Sequence, residues 1–128
     1  MEHWAEFFIL LMVAVAFTQS GVDKITDWKG NLEFHSQHFK KSPFRNMVSF
    51  NLIVVMIFEI VTGALALIGG VILIINGQTE IAKIAAVLAA ITFGMLFTGQ
   101  RLAKDYGGAQ TIVIYLMPVF FLLWLLFK

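Results

Sequence analysis

The chain has 128 residues, of which 59% are hydrophobic and 13% charged, where an ordinary soluble domain carries roughly 25% charged residues. Nine Lys and Arg against eight Asp and Glu give a formal charge of +1, so nothing in the charge balance points to nucleic acid. The absence of cysteine removes dithiol relays, thiolate metal sites and disulfides.

Together with a mean hydropathy of +0.86, these values predict a membrane protein of one domain, 1–128. Four apolar segments are readable, at 4–21, 44–75, 81–98 and 111–127. A crossing takes roughly 17 to 25 residues, and hydrocarbon offers no partner to an unpaired backbone, so each segment should be helical. The expected fold class is all-α: an integral membrane four-helix bundle with an interfacial amphipathic helix between the first two transmembrane helices.

Before Ala14-Val15-Ala16 the chain carries Glu2 and Glu6 and no Lys or Arg, the reverse of a signal-peptide n-region. Segment 4–21 is therefore expected to stay as the first helix. Segment 22–42 is polar. Within it Ile25, Trp28, Leu32, His35 and Phe39 recur at spacings of three and four, while Lys24, Asp27, Asn31, Lys40 and Lys41 lie mostly off that stripe. An amphipathic helix in the interface would show this pattern, with Gly30 as a place for it to break.

Segment 44–75 is longer than a crossing needs, so it either tilts and projects or loosens at Gly69-Gly70. Ser42-Pro43 reads as an N-cap followed by proline at the first helical position. Segment 81–98 repeats Ala82, Ala86, Ala90, Gly94 and Thr98 every four residues, and Thr62, Ala66 and Gly70 do the same in the preceding helix. Small side chains let helix backbones approach where no hydrophobic effect separates helix from lipid. These two helices should pack closely across the turn Asn76-Gly77-Gln78-Thr79. Gly107-Gly108 reads as a turn, not a phosphate loop. In segment 111–127, Pro118 removes the donor for the Ile114 carbonyl, which predicts a kink. Phe120, Phe121, Trp124 and Phe127 then suggest an interfacial aromatic belt.

Lys24, Lys29, Lys40, Lys41, Arg45, Arg101 and Lys104 fall in the first and third loops. The positive-inside rule then places those loops in the cytoplasm and both termini outside.

One residue demands chemistry. Glu59 stands in the apolar run Met56-Ile57-Phe58-Glu59-Ile60-Val61, about 18 Å into its helix at 1.5 Å per residue. That is near the bilayer centre, where an acid costs about 2.5 to 3.5 kcal/mol unless it pairs or works. Candidate partners are Gln19 and Thr18 from the first helix and Gln100 and Arg101 from the third. His35 and His38 share a helical face and would need Glu33 and more to hold a metal, so a solvated pair is the simpler reading and no metal is expected. No nucleophile with an adjacent base is present, and the catalytic residues are unknown.

The segment from Phe17-Thr18-Gln19-Ser20-Gly21-Val22-Asp23-Lys24 to Trp28, Glu59 with Gly63 and Leu67-Ile68-Gly69, and Arg101-Leu102-Ala103-Lys104-Asp105-Tyr106-Gly107-Gly108 resemble the DoxX family along essentially the whole chain. The resemblance implies a small four-helix bacterial membrane protein linked to quinone redox chemistry, with Lys24, Glu59 and Arg101 matching the family's polar positions. This chain lacks the arginine that many relatives place early in the first helix. The expected function is a redox-associated accessory subunit that contacts a quinone through Glu59, Arg101, Gln19, Lys24 and Gln100. Electrons would come from a partner, so the chain is not expected to be catalytic alone. Expected partners are the lipid bilayer, protein subunits and a second copy of the chain. The alternatives are a structural or assembly subunit and a small proton-coupled transporter.

Overall fold

The computed structural model describes residues 3–43 and 45–128. Over these the chain forms five helices: α1 (Trp4–Thr26), α2 (Trp28–His38), α3 (Val48–Asn76), α4 (Glu80–Leu102) and α5 (Tyr106–Phe127). All but α2 are long and apolar enough to cross a membrane. α1 packs on α3, α3 on α4 and α4 on α5, a smaller α1–α5 contact completes the bundle, and α2 lies against α1 and α3.

α1 continues through Thr26 instead of ending at 21. Its buried stripe of Leu10, Val13, Ala14, Phe17 and Gly21 extends to Lys24 with spacings of three and four. Gly21 does not end the helix because it is a packing position: a Cβ there would lie 2.5 Å from Ile60 Cδ1. The polar segment is also shorter as a helix than 22–42, and α2 is unbroken at Gly30. Asp27 caps α2 by accepting the Gly30 amide at 3.3 Å. Asn31 Nδ2 donates to the Asp27 and Asp23 carbonyls at 2.9 and 3.3 Å, which ties α2 to the end of α1.

α3 begins at Val48 with Met47 as its N-cap residue. Ser42 therefore does not cap it and Pro43 is not its first helical residue, while the expected start of the apolar segment, 44, lies outside the described residues. The Ser42 amide instead donates to the Phe39 carbonyl at 2.9 Å, and Arg45 donates to the Ser42 carbonyl at 3.1 Å, so this segment turns the chain out of α2. At the far end α3 is continuous through Gly69-Gly70. Gly69 is there for contact: a Cβ would lie 2.8 Å from the Ala82 nitrogen. Gly77, at φ 74, takes the left-handed position that ends α3, its amide bonded to the Leu73 carbonyl at 3.0 Å.

On α4 the buried face is Ala82, Ala85, Ala86, Ala89, Thr92 and Phe93. The four-residue stripe read from sequence leaves this face. At 3.6 residues per turn each step of four advances about 40°, so Ala82 and Ala86 are in the core, Ala90 and Gly94 are half-buried and Thr98 is exposed. Thr62, Ala66 and Gly70 of α3 are all buried. Phe17 and Phe93 meet with ring centroids 4.5 Å apart, and the Thr62 and Thr92 hydroxyls lie 3.4 Å apart.

α5 starts at Tyr106, before the expected 111, because Asp105 Oδ1 accepts the Gly108 amide at 2.9 Å and caps the helix. Gly107-Gly108 therefore belong to its first turn. α5 runs through Pro118. Phe120, Phe121, Trp124 and Phe127 face outward, with Lys83 over the Phe127 ring at 5.3 Å and Lys128 over Trp124 at 5.0 Å.

Candidate functional site

Because α1 continues its buried stripe past Gly21, Lys24 arrives on the face that meets α3, opposite Glu59. Lys24 Nζ lies 2.8 Å from Glu59 Oε1, and the two side chains are 9% and 2% exposed. The ammonium also donates to Ser20 Oγ at 2.7 Å, one helical turn back. The Glu59 contact is Coulombic: Oε1 has no aligned hydrogen bond. Glycines set this crossing. Gly21 accommodates Ile60, and a Cβ on Gly63 would lie 2.5 Å from Thr18 Oγ1 and 3.1 Å from the Thr18 nitrogen.

Glu59 thus meets Lys24, not Gln19 or Arg101. The pair also lies nearer the charged-loop end of the bundle than a count along α3 alone suggests. Counted down α1, Lys24 lies about 30 Å from Trp4 at 1.5 Å per residue, the thickness of a whole hydrocarbon core. The pair therefore sits toward the charged-loop end of the bundle, and the first three turns of α3 extend beyond it.

In that extension lies a cavity of about 690 Å³, between α2, the start of α3 and the end of α4. Its volume is in the range of small-molecule sites, about 300–1,000 Å³. α3 contributes Val48, Leu52, Val54 and Val55, and α4 contributes Ile91, Gly94, Met95 and Leu96. The room exists because the small-residue stripe of α4 has rotated off the packed face: Gly94 has no neighbour within 4 Å of where a Cβ would stand. The polar lining is concentrated in Lys24, His35, His38, Asn51, Gln100 and Asp105.

A backbone turn assembles part of that polar lining. At the end of α4, Lys104 takes φ 61. The Asp105 amide then bonds the Gln100 carbonyl at 2.8 Å and the Lys104 amide bonds the Arg101 carbonyl at 3.1 Å, a Schellman motif with lysine in the left-handed position. It brings the Gln100 and Asp105 side chains together in front of α2. His38 Nε2 lies 2.6 Å from Gln100 Oε1 and 3.4 Å from Asp105 Oδ2. Both acceptors are oxygens, so Nε2 carries the proton. Likewise His35 Nδ1, 2.8 Å from the Asn31 carbonyl, must donate, which leaves Nε2 as an acceptor in the neutral ring. His35 is held below its ordinary value of 6.5, chiefly by burial and further by the positive charges of Lys24 and His38, against the opposing Asn31 carbonyl and Glu59.

The five candidate residues therefore separate. Lys24 and Glu59 form one pair, Lys24 and Gln100 line the cavity, and Gln19 and Arg101 do neither. Gln19 is exposed in a shallow groove on the other side of α1 with Leu11, Val22 and Leu67. Arg101 is exposed and its guanidinium stacks on Tyr106 at 4.6 Å. Local sequence does not mark Asp105 as a site residue and suggests only a solvated pair for His35 and His38, yet Asp105 and both histidines line the cavity. The available signal was the pairing of a cap residue at 105 with a polar residue at 100 across a helix end. Glu33 is exposed and does not join the histidines among the cavity-lining residues. No family model, no curated protein and no solved structure matches this chain.

Proposed function

We propose that the chain is a DoxX-like integral membrane protein of the bacterial inner membrane, with its charged loops cytoplasmic and both termini outside. In this reading it is an accessory subunit of a redox complex and binds a quinone head group in the cavity between α2, α3 and α4. What carries the proposal is the lining of that cavity: Lys24, His35, His38, Gln100 and Asp105 supply donors and acceptors beside an apolar wall from α3 and α4. A ring with two oxygens and a long hydrocarbon tail has the same division. The quinone would supply the redox chemistry and a partner the electrons. The residues of this chain would orient the ring, exclude water and hold protons at the imidazole nitrogens.

The test is quinone-dependent turnover in membranes carrying the chain with its partner. Gln100→Ala and His38→Ala should each raise the quinone concentration needed by about tenfold, the worth of one hydrogen bond of roughly 1.4 kcal/mol. Arg101→Ala, away from the cavity, should leave it unchanged. Turnover indifferent to all three would remove the cavity from the reaction. Purification in a mild detergent should also recover the partner in fixed proportion. An assembly role that used the alanine face of α4 has less support, because Ala82, Ala85, Ala86 and Ala89 are fully buried within this chain.

A further inference from the structure

The Lys24 ammonium has three N–H donors. Ser20 Oγ at 2.7 Å and Glu59 Oε1 at 2.8 Å face it, and no third polar partner is present among the described residues. The side chain is 9% exposed yet lines the cavity. A buried ammonium with an unused donor is costly, and the cavity is where an acceptor would complete it.

Charge decides what kind of acceptor. Lys24 is already matched by Glu59. Asp105 is the one carboxylate among the described lining residues, with His38 beside it at 3.4 Å, and burial keeps His35 toward its neutral form. An anionic head group would face the Asp105 carboxylate and, among the described lining residues, find Lys24 already matched by Glu59 and no other lysine or arginine, and an unpaired charge in a desolvated site is strongly unfavourable. A neutral oxygen would satisfy the third N–H without adding charge. On the rim, Phe34, Phe50 and Ile91 are exposed apolar side chains, one each from α2, α3 and α4. They offer a hydrocarbon tail a continuous apolar exit.

We infer that the cavity selects an electrically neutral amphiphile whose head carries a hydrogen-bond-accepting oxygen, and that the Lys24 ammonium donates to that oxygen. Glu59 and Ser20 are then positioning residues that hold the ammonium at the cavity wall. This inference rests on reading the cavity as an amphiphile site, but it does not require the amphiphile to be a quinone.

The test measures binding calorimetrically to the full chain in neutral-detergent micelles with three probes of similar tail length: a decyl-substituted benzoquinone, a long-chain methyl ketone and dodecanoate. At about pH 8, well above the ordinary carboxylate pKa, the ketone should bind at least about tenfold more tightly than dodecanoate. Lys24→Met combined with Glu59→Met, which removes the pair without stranding a charge, should weaken ketone binding by about tenfold or more. Dodecanoate binding as tightly as the ketone would overturn the inference, and this comparison uses the unaltered chain. Ketone affinity unchanged in a folded double variant would overturn it too, as would the absence of binding by every probe. A ketone that binds where the quinone does not would support the inference and remove the quinone reading. A quinone bound equally by the unaltered chain and the double variant would do the reverse.

Discussion

At Gly63 and Gly69, α3 lies so close to its neighbours that a single added carbon would strike Thr18 of α1 or the Ala82 backbone of α4. Between Val48 and Val55 the same helix stands off from α4 and lines a cavity of about 690 Å³. The two halves use similar residue types: Gly94 and Thr98 on one side of the difference, Gly69 and Ala82 on the other. What differs is angular phase. Small residues make close packing only where their stripe points at a neighbour, and where the stripe rotates away the same smallness becomes space.

The buried ion pair lies at the boundary of these halves and offers the largest effect. Lys24→Met strands the Glu59 carboxylate, and unfolding in detergent should show a loss of about 3–5 kcal/mol. The Lys24→Met, Glu59→Met double variant should recover most of it. Equal losses in single and double variants would mean that the pair is not what holds this crossing.

The next pair of substitutions sets the halves directly against each other. Gly69→Ala meets the Ala82 backbone, which cannot swing aside, and should cost about 1–3 kcal/mol in the same assay. Gly94→Ala meets nothing within 4 Å and should stabilise by about 0.5–1 kcal/mol, through the lower backbone entropy of the unfolded chain. If both changes cost the same, the two halves do not differ in packing.

A smaller effect is expected at the turn that assembles the polar lining. Lys104 occupies φ 61, a region that disfavours every side chain, so Lys104→Gly should raise stability by about 0.5–1 kcal/mol. It should not alter ligand binding, since the backbone bonds from Asp105 and the residue at 104 remain.

The smallest expected effect is a pH dependence. His35 is held below 6.5 in the folded chain, so as pH falls past that value the unfolded chain takes up the proton first. The stability it contributes is therefore present above about pH 6.5 and declines below it. Melting temperature followed downward from neutrality should show this slope, and His35→Gln should flatten it.

How much of this was readable in the sequence varies by residue. The apolar runs were, as were the close contact of α3 with α4 at Thr62, Ala66, Ala82 and Ala86, and the turn at Gly77. Each depends on composition or spacing within one or two adjacent segments. The partner of Glu59 was not, although Lys24 is itself one of the candidate residues. Gly21 looked like a helix end, and ending α1 there turned Lys24 into a loop residue. Glycine in the middle of a helix is costly on local propensity, and only the Ile60 side chain lying against Gly21 explains why the helix continues.

The sequence by itself determined that four long segments must be helical, that a carboxylate among them needs compensation, and that positive charge gathers at one end. These follow from hydropathy, backbone hydrogen bonding and charge counting, which are properties of the chain alone. The tertiary structure decided that the compensation is Lys24, that the pair lies toward the charged-loop end, and that His38 reaches Gln100 across 62 residues of chain and Asp105 beside it. Those depend on the relative shift and rotation of helices against each other. Such quantities are fixed by where glycines allow backbones to touch, and no single segment's periodicity contains them.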